Sequence, residues 1–285
     1  MIQLNNSLYN FDTTINECIA GITGNAALRN RVSDSKKSLL PEEARYLALA
    51  NTNRLHTINS ISHPPPDPII AHTVTKSDLI KVYDQYFVPE EKPARRIYDA
   101  LLNSAKESCP FCGGIGTPKN LDHFLPKTHF PQFSVLPHNL VPSCRDCNMD
   151  GKAQAFAVNA EDQIIHPYAD KIIFFTDQWI FANYDSTINN DPGEFEYLVI
   201  APGTWDDVDK QRALKHFTDF DLASRYSKKA AENLGTVLSQ IQSLQSIGLD
   251  NPTIIATILQ PGITKAPFIN HWQKGMYQAL TNMLL

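Results

Sequence analysis

A chain of 285 residues, 42% hydrophobic and 19% charged, can bury one large core or two modest ones and is too apolar for wholesale disorder. Its 25 Lys and Arg against 30 Asp and Glu leave a formal charge of -5, which argues against a protein that coats nucleic acid by bulk charge. No apolar run approaches a membrane span, and the first residues lack the basic start and apolar stretch of a secretory signal, so the expected location is cytoplasmic.

Residues 1–91 read as a mostly helical region. Leu40-Pro41-Glu42-Glu43 opens a helix with Tyr46, Leu47, Leu49 and Ala50 on its apolar face; Pro41 suits an early helical position and the glutamates suit the positive end of the dipole. His63-Pro64-Pro65-Pro66-Asp67-Pro68 reads as a stiff connector. Thr75 or Ser77 caps the next helix, with Leu79, Ile80, Val82, Tyr83 and Phe87 as core candidates. A further helix starts at Pro93, carries Ile97, Leu101 and Ala105, and runs to the Cys109-Pro110 pair. From Asp162 to Ile200 four short runs, QIIHPY, IIFF, WIFANY and EFEYLVIA, predict a small antiparallel sheet. The tail predicts a long helix from Leu222, with Tyr226, Ala230, Leu234, Val237 or Leu238, Ile241, Leu244 and Ile247 on one stripe, ended by Gly248 and Pro252. A last helix, about 266–284, carries Phe268, Trp272, Met276, Leu280 and Leu284.

The chemistry concentrates between residues 109 and 152. Cys109-x2-Cys112 and Cys144-x2-Cys147 are two knuckles separated by 31 residues, and two such turns complete a tetrahedral thiolate site for a structural zinc. Four protein ligands close the site, so this metal folds the region and does not catalyse. Gly113 and Gly114 suit a tight turn whose amides face the sulfurs. Cys18 stands apart and reads as a buried thiol. Between the knuckles lies Asp122-His123, and Asn148 follows the last cysteine directly. A carboxylate at a strand end and an amide oxygen fixed by the zinc, with waters and phosphate oxygens, make a typical magnesium shell.

These residues resemble a family. CPFCG, LDHFLPK, NLVPSCRDCN and GK, in that order over residues 109–152, look like the HNH endonucleases in their four-cysteine, ββα-metal form, with His123, Asn139 and Asn148 at the three signature positions. The resemblance implies an α+β, mostly helical fold: a central zinc-bound ββα-metal motif with a small antiparallel sheet and flanking helices. It divides the chain into an N-terminal helical region (1–91), a nuclease core (92–165) and a sheet followed by helices (166–285). It makes His123 the general base, Asp122 and Asn148 the holders of a catalytic Mg2+ or Mn2+, and Asn139 a brace for the loop that orients His123. Hydrolysis of DNA phosphodiester bonds would leave 5′-phosphate and 3′-hydroxyl ends. Lys127, Arg145 and Lys152 are candidate phosphate contacts.

Arg96-Ile97-Tyr98-Asp99, His166-Pro167-Tyr168 and His216-Phe217 are similar to a bacterial subgroup, notably the HNH subunit that accompanies an ABC-type ATPase in Septu-like anti-phage systems. No Gly-x4-Gly-Lys phosphate loop occurs here, so that ATPase would be another polypeptide. Between Cys109 and Lys152 four cationic side chains face three acidic ones, a balance of +1. Such a surface predicts weak binding to duplex DNA alone and a need for the partner ATPase or for self-assembly. The competing expectation is a non-catalytic, zinc-stabilised module that binds nucleic acid or protein.

Overall fold

Three helices lead the computed structural model of the chain, which describes residues 1–61, 66–187 and 193–285. They are α1 (Phe11–Gly21), α2 (Ala26–Leu39) and α3 (Pro41–Ala50). Asn10 and Asn25 cap the first two, accepting from the amides of Thr13 and Leu28. Pro41 and the two glutamates open α3 where the sequence predicts. Of the proline connector, His63, Pro64 and Pro65 lie outside the described residues. Pro66, Asp67 and Pro68 lead into a hairpin of β1 (Ile69–Ala71) and β2 (Val74–Thr75), which the sequence reading did not anticipate. Thr75 then forms a capping box with Asp78 at the start of α4 (Lys76–Val82), which runs on as a π-helical turn, Tyr83–Phe87.

The helix α5 (Arg95–Asn103) ends earlier than expected. Lys106 and Glu107 take φ of 47° and 62°, a left-handed pair that stops the helix and turns the chain toward Cys109. Next come β3 (Asn120–His123) and β4 (Leu140–Ser143), antiparallel, with Asp122 opposite Val141 and His123 opposite Leu140. A π-helical segment, Asp146–Lys152, follows at once. Two strands and a helical segment thus stand in chain order, and α5 packs across both strands.

The predicted sheet is smaller than expected. WIFANY and EFEYLV pair as β5 (Ile180–Asp185) and β6 (Glu194–Val199), but IIFF becomes α6 (Ile173–Thr176) and QIIHPY forms no strand. A short all-apolar run carries no period that separates strand from buried helix. Here Phe174 plugs the core, and its carbonyl accepts from Trp179 Nε1 at 2.9 Å. Also missed was α7 (Asp207–Asp219), capped by Asp206.

The long helix is α8 (Leu222–Ser246), its stripe buried from Tyr226 to Ile241. Ile247 is exposed, so the buried stripe stops short of the predicted end. Pro252 does not close that helix; it sits in the first turn of α9 (Asn251–Ile254), which continues through a π-helical turn into α10 (Gln260–Thr264). Finally α11 (Trp272–Leu284) begins later than predicted because His271 caps it, accepting from the Gln273 amide. Phe268 lies in the preceding turn.

The fold is α+β, about half helical and so less helical than expected, with two-stranded antiparallel sheets. One hydrophobic core runs from Phe11 and Tyr46 through Phe133 and Leu136 to Trp179 and Leu280, so all three expected regions share it. The amides of Ile2 and Leu4 donate to Pro110 and Pro167, tying the first residues to both later regions. Cys18 is buried, and burial pushes its thiol pKa up. Among the described residues no helix is long and apolar enough to cross a membrane.

Candidate metal centre and active site

The two CxxC turns meet. All four sulfurs, from Cys109, Cys112, Cys144 and Cys147, lie within 4.8 Å of one another and are buried. A tetrahedral zinc with bonds of about 2.3 Å needs sulfur pairs about 3.8 Å apart, and Cys112 Sγ stands 4.0 Å from Cys144 Sγ. The cluster fits a closed structural metal such as zinc. Packed so closely, the thiols perturb one another: a hydrogen bond with Cys109 lowers Cys112 to about 7, while the same neighbour pushes Cys147 up. A bound cation removes that conflict by favouring four thiolates.

The amides that reach the sulfurs differ from those expected. Gly116 donates to Cys112 Sγ at 3.3 Å and Cys144 to Cys109 Sγ at 3.4 Å, whereas Gly114 bonds the Cys109 carbonyl. A side chain at Gly116 would place its Cβ 2.5 Å from Cys144 Sγ, so this third glycine of the knuckle is the one the sulfurs require. Two residues of distant sequence complete the shell. Arg225 of α8 donates to Cys147 Sγ at 3.3 Å and to Cys144 Sγ at 3.7 Å. His216 of α7 donates from Nε2 to the Phe111 carbonyl at 2.8 Å, holding the first knuckle. His216 belongs to the His216-Phe217 pair that the sequence reading noted without a role, whereas Arg225 carries no local sequence signal.

The knuckles flank β3 and β4, and at the end of β3 lie Asp122 and His123, both buried. Neighbouring strand residues project to opposite faces. His123 Nε2 lies 2.9 Å from the Ser134 carbonyl. A carbonyl only accepts, so Nε2 carries the proton and Nδ1 keeps a free lone pair. The Tyr83 ring packs edge-on at 4.4 Å, and burial holds the imidazole down at about 3, neutral near pH 7. On the other face Asp122 is pushed up to about 6 by burial, with Lys152 pulling the opposite way. Lys152 Nζ stands 3.6 Å from Asp122 Oδ2, an ion pair too long for a hydrogen bond, and bonds the His123 carbonyl at 2.6 Å. Asp122 Oδ2 is therefore buried without a hydrogen-bond partner.

The π-helical segment lies along β3. Asn148 Nδ2 donates to Asn120 Oδ1 at 3.0 Å, and Lys152 pairs with Asp122. Residues one turn apart on the segment thus match residues two apart on one face of the strand, both spacings being about 6 Å. Asn148 Oδ1 has no hydrogen-bond partner among the described residues. The structure sets Asn148 and Asp122 on one face and leaves an oxygen of each without a hydrogen bond, that of Asp122 facing Lys152.

Asn139 is fully buried at the end of the loop joining the strands. Its Oδ1 accepts from the Leu125 amide at 2.7 Å and from the Tyr46 hydroxyl at 3.1 Å. Its Nδ2 donates to the carbonyls of Leu125 and Phe133 at 3.0 and 3.2 Å. Since Tyr46 donates to Asn139, its oxygen accepts from His166 Nε2 at 3.0 Å, and His166 Nδ1 accepts from the Tyr168 amide. His166 is thus a brace behind Asn139, not the start of a strand. Of the candidate phosphate contacts, Arg145 is exposed, Lys127 pairs with Asp84 over the Tyr83 ring, and Lys152 is buried beneath the site.

With this geometry in hand, comparison with known proteins gives one informative result. Over 283 residues the chain is 39% identical to "Protein ea31" of Escherichia phage lambda, covering 95% of this chain and 94% of that protein. No protein-family model matches the chain, and no solved structure does.

Proposed function

The chain belongs to the family of the lambda protein Ea31, and for this member we propose a metal-dependent HNH endonuclease that hydrolyses phosphodiester bonds of DNA. One observation carries the reading: a neutral imidazole with a free Nδ1 and a buried carboxylate with an oxygen that accepts no hydrogen bond leave the same strand end, between two cysteine knuckles. His123 Nδ1 takes the proton of the attacking water. Its Nε2 bond to Ser134 and the edge of Tyr83 fix the ring, and Asn139 holds the loop that carries Ser134. Asp122 and Asn148 offer a carboxylate and an amide oxygen, a donor set that fits Mg2+ or Mn2+. When bound, such an ion neutralises the phosphate and the leaving 3′ oxygen. Lys152 supports Asp122 from below and yields part of its attraction once the cation arrives.

The partner we propose is an ABC-type ATPase, or further copies of this chain, in an anti-phage setting. A chain at -5 with few cations at the site needs help to grip duplex DNA. The Lys152–Asp122 pair favours one second reading, a non-catalytic zinc-stabilised binding module in which that pair is only structural. The separating experiment is incubation with end-labelled duplex DNA in magnesium or in EDTA. Magnesium-dependent products with 5′-phosphate ends support the nuclease; intact DNA at every magnesium and manganese concentration, with the candidate partner added, refutes it.

A further inference from the structure

Behind the candidate site lies a cavity of about 260 Å3 with no assigned role. Its wall begins where the site ends: Phe124 and Leu125 follow His123 directly, and Lys152, bonded to the His123 carbonyl, lines it too. Phe156 forms a further wall, held at 5.0 Å edge-on by Phe130 and at 4.9 Å by the His129 ring. Two polar groups without partners belong to the lining. Gln163 is 2% exposed and gives its Oε1 to the His56 amide, which leaves Nε2 buried without an acceptor. His56 Nδ1 is likewise buried and unpartnered. Both atoms are covered by neighbouring side chains, and a small turn of Gln163 or His56 brings them to the cavity. Unmet polar groups in an interior are costly, which favours that turn when a ligand offers a partner.

We propose that this cavity receives a single unstacked nucleobase of the nucleic acid strand, an inference that rests on the nuclease reading of the adjoining site. Phe124 and Phe156 suit the face of a planar heterocycle. Lys152, Asp162, Lys215 and Asp219 in the same lining, with the amide of Gln163 and the imidazole of His56, suit the polar edge of a base, which both donates and accepts. The volume falls below the roughly 300–1,000 Å3 of pockets that hold larger ligands, so a ring system fits and a whole nucleotide does not. Contiguity through Phe124 and Lys152 puts such a base beside the end of β3 that carries His123 and Asp122.

The test uses duplex DNA with 2-aminopurine at successive positions, bound by the full chain carrying His123→Ala so that no strand is cut. The mixture is held at low salt and at protein concentrations shown by anisotropy of a distal label to saturate the duplex. A several-fold fluorescence rise at one position, abolished when Ala157→Trp fills the cavity and reduced by Phe156→Ala, is the expected result. Zinc content and melting temperature are followed in each variant to show that it is folded. No rise at any position, or a rise untouched by Ala157→Trp in folded protein, overturns the proposal. The 2-aminopurine deoxyriboside is tested in parallel; a change in its anisotropy with no response from duplex would assign the cavity to a free nucleoside and overturn the strand-borne base. Cleavage by the unsubstituted chain is scored separately. Cutting without a fluorescence rise sinks the cavity alone, and a rise without cutting sinks the nuclease alone.

Discussion

Asp122 and His123 are neighbours with opposed electrostatics. Burial raises the carboxyl to about 6 from an ordinary 3.8 and lowers the imidazole to about 3 from 6.5. Across neutral pH His123 is already a free base, so its titration does not limit the rate. Asp122 must ionise to hold a cation, and cleavage should therefore rise with pH through about 6. Metal and proton compete for one oxygen, so more magnesium should move that inflection to lower pH. Rate profiles at two magnesium concentrations check this; an inflection that ignores magnesium removes Asp122 from the metal. Stability has its own sign. His123, His166 and His216 are each held at about 3, so below 6.5 the unfolded chain binds their protons first, and stability falls as pH drops from 6.5 toward 3. The raised Asp122 opposes them, since its protonation favours the folded state between 3.8 and about 6. Urea unfolding across that range should show the histidines prevailing. The Asp-His pair was legible because a cysteine knuckle frames it on each side. Ser134, Tyr83 and Tyr46 were not, because nothing local distinguishes a serine that lends its carbonyl or a tyrosine that braces an amide from ordinary core residues.

At the scale of elements, the four-cysteine cluster joins the two short strands to the helical segment and, through Arg225, to α8. Structural zinc contributes folding free energy directly, on the order of 10–16 kcal/mol of apparent binding in small zinc-finger peptides. Cys144→Ser should lose the metal together with the order of β4 and the segment after it, seen as metal loss and reduced ellipticity. Arg225→Ala should keep the fold and release zinc more readily to a chelator, by about 10–100-fold in affinity. Equal retention in Arg225→Ala would show that the guanidinium bonds add nothing. Helices with a long apolar period were legible from sequence, α8 above all. The misreadings share a cause: IIFF has no period, and α5 stops at a left-handed pair that only the fold reveals. Pro252 opens a helix because its missing amide would be unpaired there anyway.

For the whole molecule, a buried arginine between two carboxylates, Asp170 and Asp209, ties α7 to the segment that follows the site region. Arg212 of α7 and Asp170 have wholly buried side chains, and the guanidinium also bonds the carbonyls of Gln163 and Ile164. Asp170→Ala leaves Arg212 only the longer approach of the buried Asp209, 4.0 Å away. The loss should therefore be about 1–3 kcal/mol, read from the urea midpoint, and larger when Asp209 is removed as well. A loss below about 1 kcal/mol would mean that Asp209 alone neutralises the arginine. The nuclease itself is tested most directly by plasmid cleavage in magnesium by the parent chain and by His123→Ala, with the candidate ATPase present. Loss of the base should slow cutting by about 10²–10⁴-fold while zinc content and melting temperature stay at the parent's values. A folded, zinc-loaded His123→Ala chain that cuts at the parent's rate would contradict the account.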